Sequence, residues 1–182
     1  MPSLVVKASN WRRTLQTALA EERTIAIPDE FDRVFHAYHG LVFRTAYRIT
    51  GNAADAEDVS QTVFLRVFRR SEHRAVLENE ESYLRRAAIN AALDVLRSRQ
   101  ASRTVELIDL PAEPEHNDSR ELRQALGRAL ARLKPRPAEI FALRFLEGFS
   151  NPEIARMLGL SQVLVAVIVH RTRQQLRKEP VS

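Results

Sequence analysis

At 182 residues, of which 45% are apolar, the chain carries enough apolar material for one ordinary core or two small ones, which excludes disorder throughout. It has no cysteine, which excludes a disulfide framework and any Cys-based zinc or iron–sulfur site. The net charge of +5 points to a polyanionic partner, and its distribution says more than its size. Residues 121–179 hold eleven Lys/Arg against five Asp/Glu, residues 102–120 hold two against five, and residues 29–100 hold eleven of each. No apolar run approaches a membrane span, and Lys7, Arg12 and Arg13 fall where a secretory signal needs its apolar centre, so no membrane insertion and a cytoplasmic location are expected.

Residues 1–28 are weakly patterned: Ser9 is placed to cap a short helix carrying Trp11, Leu15, Ala18 and Leu19, ended by Pro28, and a loosely ordered extension fits equally well. A stronger helix is predicted over 31–50, with Phe31, Val34, Phe35, Tyr38, Leu41, Val42, Thr45, Ala46 and Ile49 as its buried stripe and Gly51 as its stop. Asn52 opens a second helix, acidic at its start (Asp55, Glu57, Asp58) and basic at its end (Arg66, Arg69, Arg70), so both ends complement the helix dipole. Its apolar residues are Val59, Val63, Phe64, Val67 and Phe68. Residues 71–79 read as a polar loop. A third helix is predicted from Glu80 to about Arg99, with Leu84, Ala87, Ala88, Ala91, Val95 and Leu96 inward and Arg85, Arg86, Asn90, Asp94, Arg97 and Arg99 available to solvent or a partner.

From 100 to 120 the chain turns acidic, gains Pro111 and Pro114 and loses any helical stripe, which marks a linker. A helix at 121–133, a break at 134–137 and a helix at 138–147 closed by Gly148 follow. Residues 149–177 then read as a helix-turn-helix. Ser150 and Glu153 form a capping box with Pro152 tolerated in the first turn, Gly159 provides the exit, and Ser161 caps the next helix. In that second helix Val165, Ile168, Val169, Thr172 and Leu176 make an apolar stripe, while Gln162, Ala166, His170, Arg171, Arg173, Gln174, Arg177 and Lys178 lie off it. A helix apolar on one side and basic on the other suits a major groove, although two helices closing a bundle give the same pattern. The expected fold is therefore all-α, a three-helix domain and a four-helix domain joined by an acidic tether.

Enzymatic readings are poor. His36 and His39 share a helix face but no Cys or Glu-x-x-His pairing completes a metal site, and neither a Gly-rich phosphate loop nor a nucleophile motif is present. The expectation is a protein without enzymatic activity, metal or cofactor.

Three segments carry a family resemblance: DAEDVSQTVFLRVFRR at 55–70, SYLRRAAINAALDVLRSR at 82–99 and ALARLKPRPAEIFALRFLEGFSNPEIARMLGLS at 129–161. Together they resemble regions 2 and 4 of bacterial sigma-70 family transcription initiation factors, and the absence of a region 3 domain resembles the extracytoplasmic function (ECF) group. The resemblance covers about 29–179 and divides the chain into an extension (1–28), region 2 (29–100), a linker (101–120) and region 4 (121–179). It implies a factor that binds core RNA polymerase through the beta-prime clamp and beta flap, directs it to promoter DNA and helps melt that DNA, with an anti-sigma factor as a possible partner.

The positions matching the clamp-docking motif are Asp58, Gln61, Phe64 and Leu65, although periodicity places Phe64 equally well in the core. Those matching the family's −10 element contacts are Arg86 and Asn90, four apart on one face, with Arg85, Arg97 and Arg99 for phosphates and residues 71–79 as the wall of a base pocket. The −35 reading face would comprise Gln162, Ala166, Val167, His170, Arg171 and Arg173. Here the chain departs from the commonest family pattern: Leu164, Ala166, Val167 and Ile168 stand where Thr, Lys or Arg, Ser, and Arg are usual. Readout by shape, phosphate and thymine methyl contacts is the expected consequence. Two other readings stay open: a stand-alone helix-turn-helix regulator, and an interaction module that uses the apolar patch at Val163 and Val167.

Overall fold

A computed structural model describes residues 29–71, 79–105 and 118–178, and the described residues contain helices and turns but no strand. Helix α1 spans Asp29–Thr50, α2 Ala53–Ser71 and α3 Glu80–Val105. Helix α4 spans Asp118–Arg132 and α5 Pro135–Phe141, the latter running into a π-helical turn at Ala142–Leu146. Helices α6 (Asn151–Leu158) and α7 (Gln162–Lys178) complete the chain. The short helix expected around Trp11, most of the 71–79 loop and the proline-bearing part of the linker lie outside the described residues.

Helices α1, α2 and α3 pack mutually as the expected three-helix body. Phe31 stands edge-on to Phe64 and Phe68, and Phe35 to Phe64 with ring centroids 4.9 Å apart, an aromatic cluster that closes the α1–α2 end of the core. The chain turns from α1 into α2 at Gly51, whose φ of +66° is the left-handed conformation a helix exit needs. Asn52 then caps α2, its Oδ1 accepting the backbone N–H groups of Ala54 and Asp55 at 2.8 and 3.2 Å. Asp55 does more than decorate a helix start: it is buried and paired with Arg99 of α3. Burial raises its pKa above the usual carboxylate value, against the opposing pull of the Arg99 charge.

Several elements differ from the sequence reading, and α4 already starts at Asp118, within the stretch expected as linker. Helix α3 runs on to Val105, beyond the expected end near Arg99. Pro135 and Pro137 do not break the chain but occupy the first turn of α5, where the missing N–H is an orphan in any helix. The segment after α5 is a π turn rather than α-helix, with Glu147 N–H donating to Ala142 O and Phe149 N–H to Leu143 O, both at 3.0 Å.

The larger difference concerns α3. Ile89, Ala92 and Leu93, outside the expected stripe, are fully buried along with Leu84 and Ala88. They are covered because α3 is packed from two sides, by α1 and α2 on one and by α4 and α5 on the other. Gly127 of α4 lies against Leu96, where a Cβ would meet the leucine methyl at 3.5 Å. The two expected bodies thus share one continuous apolar core, into which Leu130, Ile140, Leu143, Ile154 and Val165 also pack.

The helix-turn-helix forms as its sequence dictates. The capping box closes at Ser150, with the Glu153 carboxylate accepting the Ser150 backbone N–H at 2.8 Å, and Gly159 leaves α6 at a φ of +63°. The Leu160 N–H bonds back to Ala155 O at 2.9 Å, and Ser161 Oγ accepts the Leu164 N–H at 3.2 Å. Helices α6 and α7 meet at 111°, within the range of such pairs.

Phe64→Ala should cost about 3–5 kcal/mol of stability in chemical denaturation, the usual loss for a buried Phe; a loss under about 1 kcal/mol would show that the ring is not a core element. Glu153 has its pKa lowered chiefly by its side-chain hydrogen bond to Ser150. Because the folded-state pKa is depressed, its stabilising contribution is present above the ordinary carboxylate range and is lost as pH falls through the folded value. The stability gap between the parent and Glu153→Gln should therefore be largest near neutral pH and close on acidification; a gap independent of pH would contradict the charged cap.

Candidate nucleic-acid and polymerase interfaces

The face of α7 turned away from the core is open. Val165 and Thr172 are buried and Ile168, Val169 and Leu176 half-buried, as the stripe requires, while Gln162, Ala166, Val167, His170, Arg171 and Arg173 are all exposed. The first turns of this face are apolar: Val163 is 74% exposed, Leu164 44% and Val167 38%. Basic groups follow at Arg171, Arg173, Arg177 and Lys178, and His170 Nε2 lies 3.0 Å from Gln174 Nε2. Such a surface offers cations to phosphates along its C-terminal half and methyl groups to thymine along its N-terminal half, with few hydrogen-bonding groups for base edges.

On α2, Asp58 is exposed and Gln61 and Leu65 are half-buried, spaced three and four apart and hence on one face. Phe64 is not with them. It is 1% exposed, so the expected docking anchor is a core residue, turned by its one-residue offset into the Phe31–Phe35 cluster. Of the four docking candidates, Asp58, Gln61 and Leu65 remain accessible.

The α3 residues expected to meet single-stranded DNA are all engaged within the chain, although the Arg86 side chain stays 35% exposed and that of Arg99 50%. Arg86 donates from Nε to Glu139 Oε1 at 2.8 Å, and Asn90 Nδ2 donates to the same oxygen at 3.3 Å. Arg86 also reaches Met157 O, at the end of α6, at 3.4 Å. Arg85 is paired with Glu147 and with Glu81, its side chain 13% exposed and its guanidinium 5.2 Å from the centre of the Phe149 ring. Arg97 pairs with Asp94 one turn back at 2.9 Å, and Arg99 with Asp55. Of the side chains expected to be available to solvent or a partner, Arg85 is largely covered and Arg86 and Asn90 are half-buried, because α5 and the π turn bring Glu139 and Glu147 to them.

The partners of these residues, Glu139 and Glu147, gave no functional signal in the sequence. Glu147 accepts from Thr45 Oγ1 at 3.1 Å and Arg48 Nη1 at 2.9 Å besides Arg85, and Glu139 from Arg136 at 3.1 Å besides Arg86 and Asn90. Their side chains are 1% and 5% exposed, against an expectation that unpaired acids avoid burial. A buried Glu preceding a Gly at a helix end is a weak sequence signal, since the same pair occurs on any solvated helix.

His36 lies 3.5 Å from Asp32, and His39 Nδ1 lies 3.2 Å from Phe35 O. Among the described residues no group of three or more His, Cys, Asp and Glu is placed to hold a metal ion, and no single helix is long and apolar enough to cross a membrane.

Residues 34–102 match the family described as Sigma-70 region 2, and residues 123–176 that described as Sigma-70, region 4. The chain is 38% identical over 156 residues to the ECF RNA polymerase sigma factor SigE of Mycolicibacterium smegmatis, covering 81% of this chain and 60% of that one. It is 30% identical over 158 residues to the RNA polymerase sigma-E factor of Streptomyces coelicolor, covering 84% of this chain and 87% of that one. Among solved structures it is similar to CnrH in complex with the cytosolic domain of CnrY, with a TM-score of 0.52 and 25% identity over 81% of this chain and 84% of that one. The sigma factor RpoE from Bartonella quintana, solved with the anti-sigma factor NepR, shares the fold with a TM-score of 0.50 at 20% identity over 82% of this chain and 95% of that one. With both regions matched, in order and over most of its length, the chain belongs to the sigma-70 family of transcription initiation factors, in the ECF group.

Proposed function

We propose that this sigma factor works through three surfaces of the described residues. The open face of α7, with Gln162, Ala166, Val167, His170, Arg171 and Arg173, meets the duplex −35 element. The α3 face with Arg85, Arg86, Asn90 and Arg97 takes the unstacked −10 strand, and Asp58, Gln61 and Leu65 of α2 rest on the beta-prime clamp of core RNA polymerase. The single observation that carries this reading is the helix-turn-helix geometry: α6 and α7 cross at 111° and leave the basic face of α7 exposed while its apolar stripe is buried. Region 2 is assigned to 29–100, a linker to 101–120 and region 4 to 121–179, with residues 1–28 as an extension.

Promoter opening in this scheme needs no chemistry from the chain. An amide at Asn90 reads a base edge, arginines hold a backbone whose bases have left the stack, and captured single strand drives melting by its binding energy. The protein is accordingly assigned no enzymatic activity, metal or cofactor, and a cytoplasmic location beside its polymerase. The apolar opening of α7 shifts −35 recognition toward shape, phosphates and methyl groups. An anti-sigma factor is proposed as a further partner, since RpoE and CnrH were solved with protein partners.

The decisive experiment is transcription in vitro with purified bacterial core polymerase over a genomic promoter library; no promoter-specific transcript at low salt would end this reading. Asp58→Ala combined with Gln61→Ala should weaken holoenzyme formation about tenfold or more with thermal stability preserved, measured by binding to labelled core enzyme, and unaltered affinity would remove α2 from the docking role. Arg171→Ala should weaken upstream promoter binding: with a salt slope reduced by roughly one if the contact is to phosphate, and with relaxed base preference if it is to guanine. Unchanged binding in both respects would mean that α7 does not face DNA.

A further inference from the structure

Beside the turn from α1 into α2 lies a cleft that none of the three proposed surfaces uses. Its volume is about 190 Å³, and its walls are the α1–α2 turn, the stretch of α3 around Arg99 and the stretch of α4 from Arg123 to Arg128. Three guanidiniums, those of Arg99, Arg123 and Arg128, line it together with the amides of Gln100 and Gln124, and among the described residues its lining contains no Asp or Glu. A narrow cleft that carries one sign of charge focuses its field on whatever enters. Its volume falls below the roughly 300–1,000 Å³ of sites that enclose a drug-sized ligand, so it suits a small anion and not a whole nucleotide. We propose that this cleft is a binding site for a phosphate group, carried by an anion no larger than pyrophosphate or by a nucleic-acid backbone.

Local structure sets both the shape of the cleft and its preference. Gly127 brings α4 close to α3, since a Cβ there would already meet Leu96 at 3.5 Å, and the stem of Arg123 rests near the turn, its Cβ 3.7 Å from where a Cβ on Gly51 would lie. Arg99 is paired with the buried Asp55 through Nη1 and Nη2. That pairing fixes the guanidinium at the wall and leaves further N–H groups for a ligand, because the side chain carries five. Asn52 spends its Oδ1 on the α2 cap, so its amide can bring only donors to the cleft. A lining rich in donors and without carboxylates selects an oxyanion, and planar guanidiniums match the several oxygens and near-double charge of a phosphate better than the two oxygens and single charge of a carboxylate. Since the walls belong to α3 and α4 together, an anion bound between them stabilises their contact by linkage.

Sodium pyrophosphate titrated calorimetrically into the full-length protein at constant ionic strength should give saturable one-to-one binding. It should also raise the thermal midpoint above that found with sodium chloride of equal ionic strength. Arg123→Gln combined with Arg128→Gln should weaken the binding by roughly tenfold or more, the scale of a lost charge-assisted hydrogen bond. Gln124→Glu should do the same, since it adds a negative charge to the cleft and removes no arginine; circular dichroism checks that each variant is folded. Arg171→Gln combined with Arg173→Gln, on α7 and outside the cleft, should leave pyrophosphate affinity unchanged. No saturable binding by the parent, or an affinity that the cleft variants leave unaltered, overturns the site. An equal loss in the α7 variant overturns it as well, because the attraction is then to basic surface at large. Competition in the α7 variant separates the two sources of the phosphate: random-sequence duplex DNA displaces pyrophosphate if the cleft takes a backbone phosphate and fails to displace it if the cleft takes a free anion, and either result upholds phosphate binding there.

Discussion

Two buried carboxylates constrain the arrangement of this molecule. Glu139 lies in α5 and Glu147 caps the end of the π turn eight residues later, and neither side chain reaches appreciable solvent. An acid buried in that way is tolerable only if donors surround it. Arg136 of its own helix serves one oxygen of Glu139, and the remaining donors come from region 2: Arg86 and Asn90 for Glu139, Thr45, Arg48 and Arg85 for Glu147. The need to satisfy these two charges and the apolar core that both bodies share act together on where region 4 lies, and α4 approaches α3 closely enough to bring Gly127 against Leu96.

From this placement follow the unusual burial of α3 and the asymmetry of the two DNA-facing surfaces. Ile89, Ala92 and Leu93 of α3 are fully buried in a helix that packs against α1 and α2 and also against α4 and α5. The face of α7 carrying Gln162, Ala166, Val167, His170, Arg171 and Arg173 stays open. The outer face of α7 is therefore open while Arg85, Arg86 and Asn90 of α3 are engaged within the chain.

The α7 surface carries its own constraint. With Val163, Leu164 and Val167 exposed at its start and arginines toward its end, it cannot discriminate bases mainly by hydrogen bonds. In the proposed −35 contact its cations supply a sequence-independent, salt-sensitive hold, and discrimination is left to methyl contacts and duplex shape.

The sequence by itself determined everything that depends on neighbours a few residues away. Helical periodicity placed Phe31, Val34 and Phe35 on one stripe of α1, the Ser150–Glu153 box and Gly159 set both ends of α6, and the order of the region 2 and region 4 motifs identified the family. Local patterning could not choose between core and surface for Phe64, because a residue next to an apolar stripe serves either; only the ring cluster with Phe31 and Phe35 places it inside. Nor could it show that Pro135 and Pro137 start a helix rather than break one, or that residues 142–146 widen into a π turn. What tertiary structure alone decided is the pairing of Arg85, Arg86 and Asn90 with Glu147 and Glu139, across gaps of some fifty to sixty residues. No periodicity spans such a gap: these contacts are chosen by burial of charge, and burial is a property of the whole fold rather than of any segment.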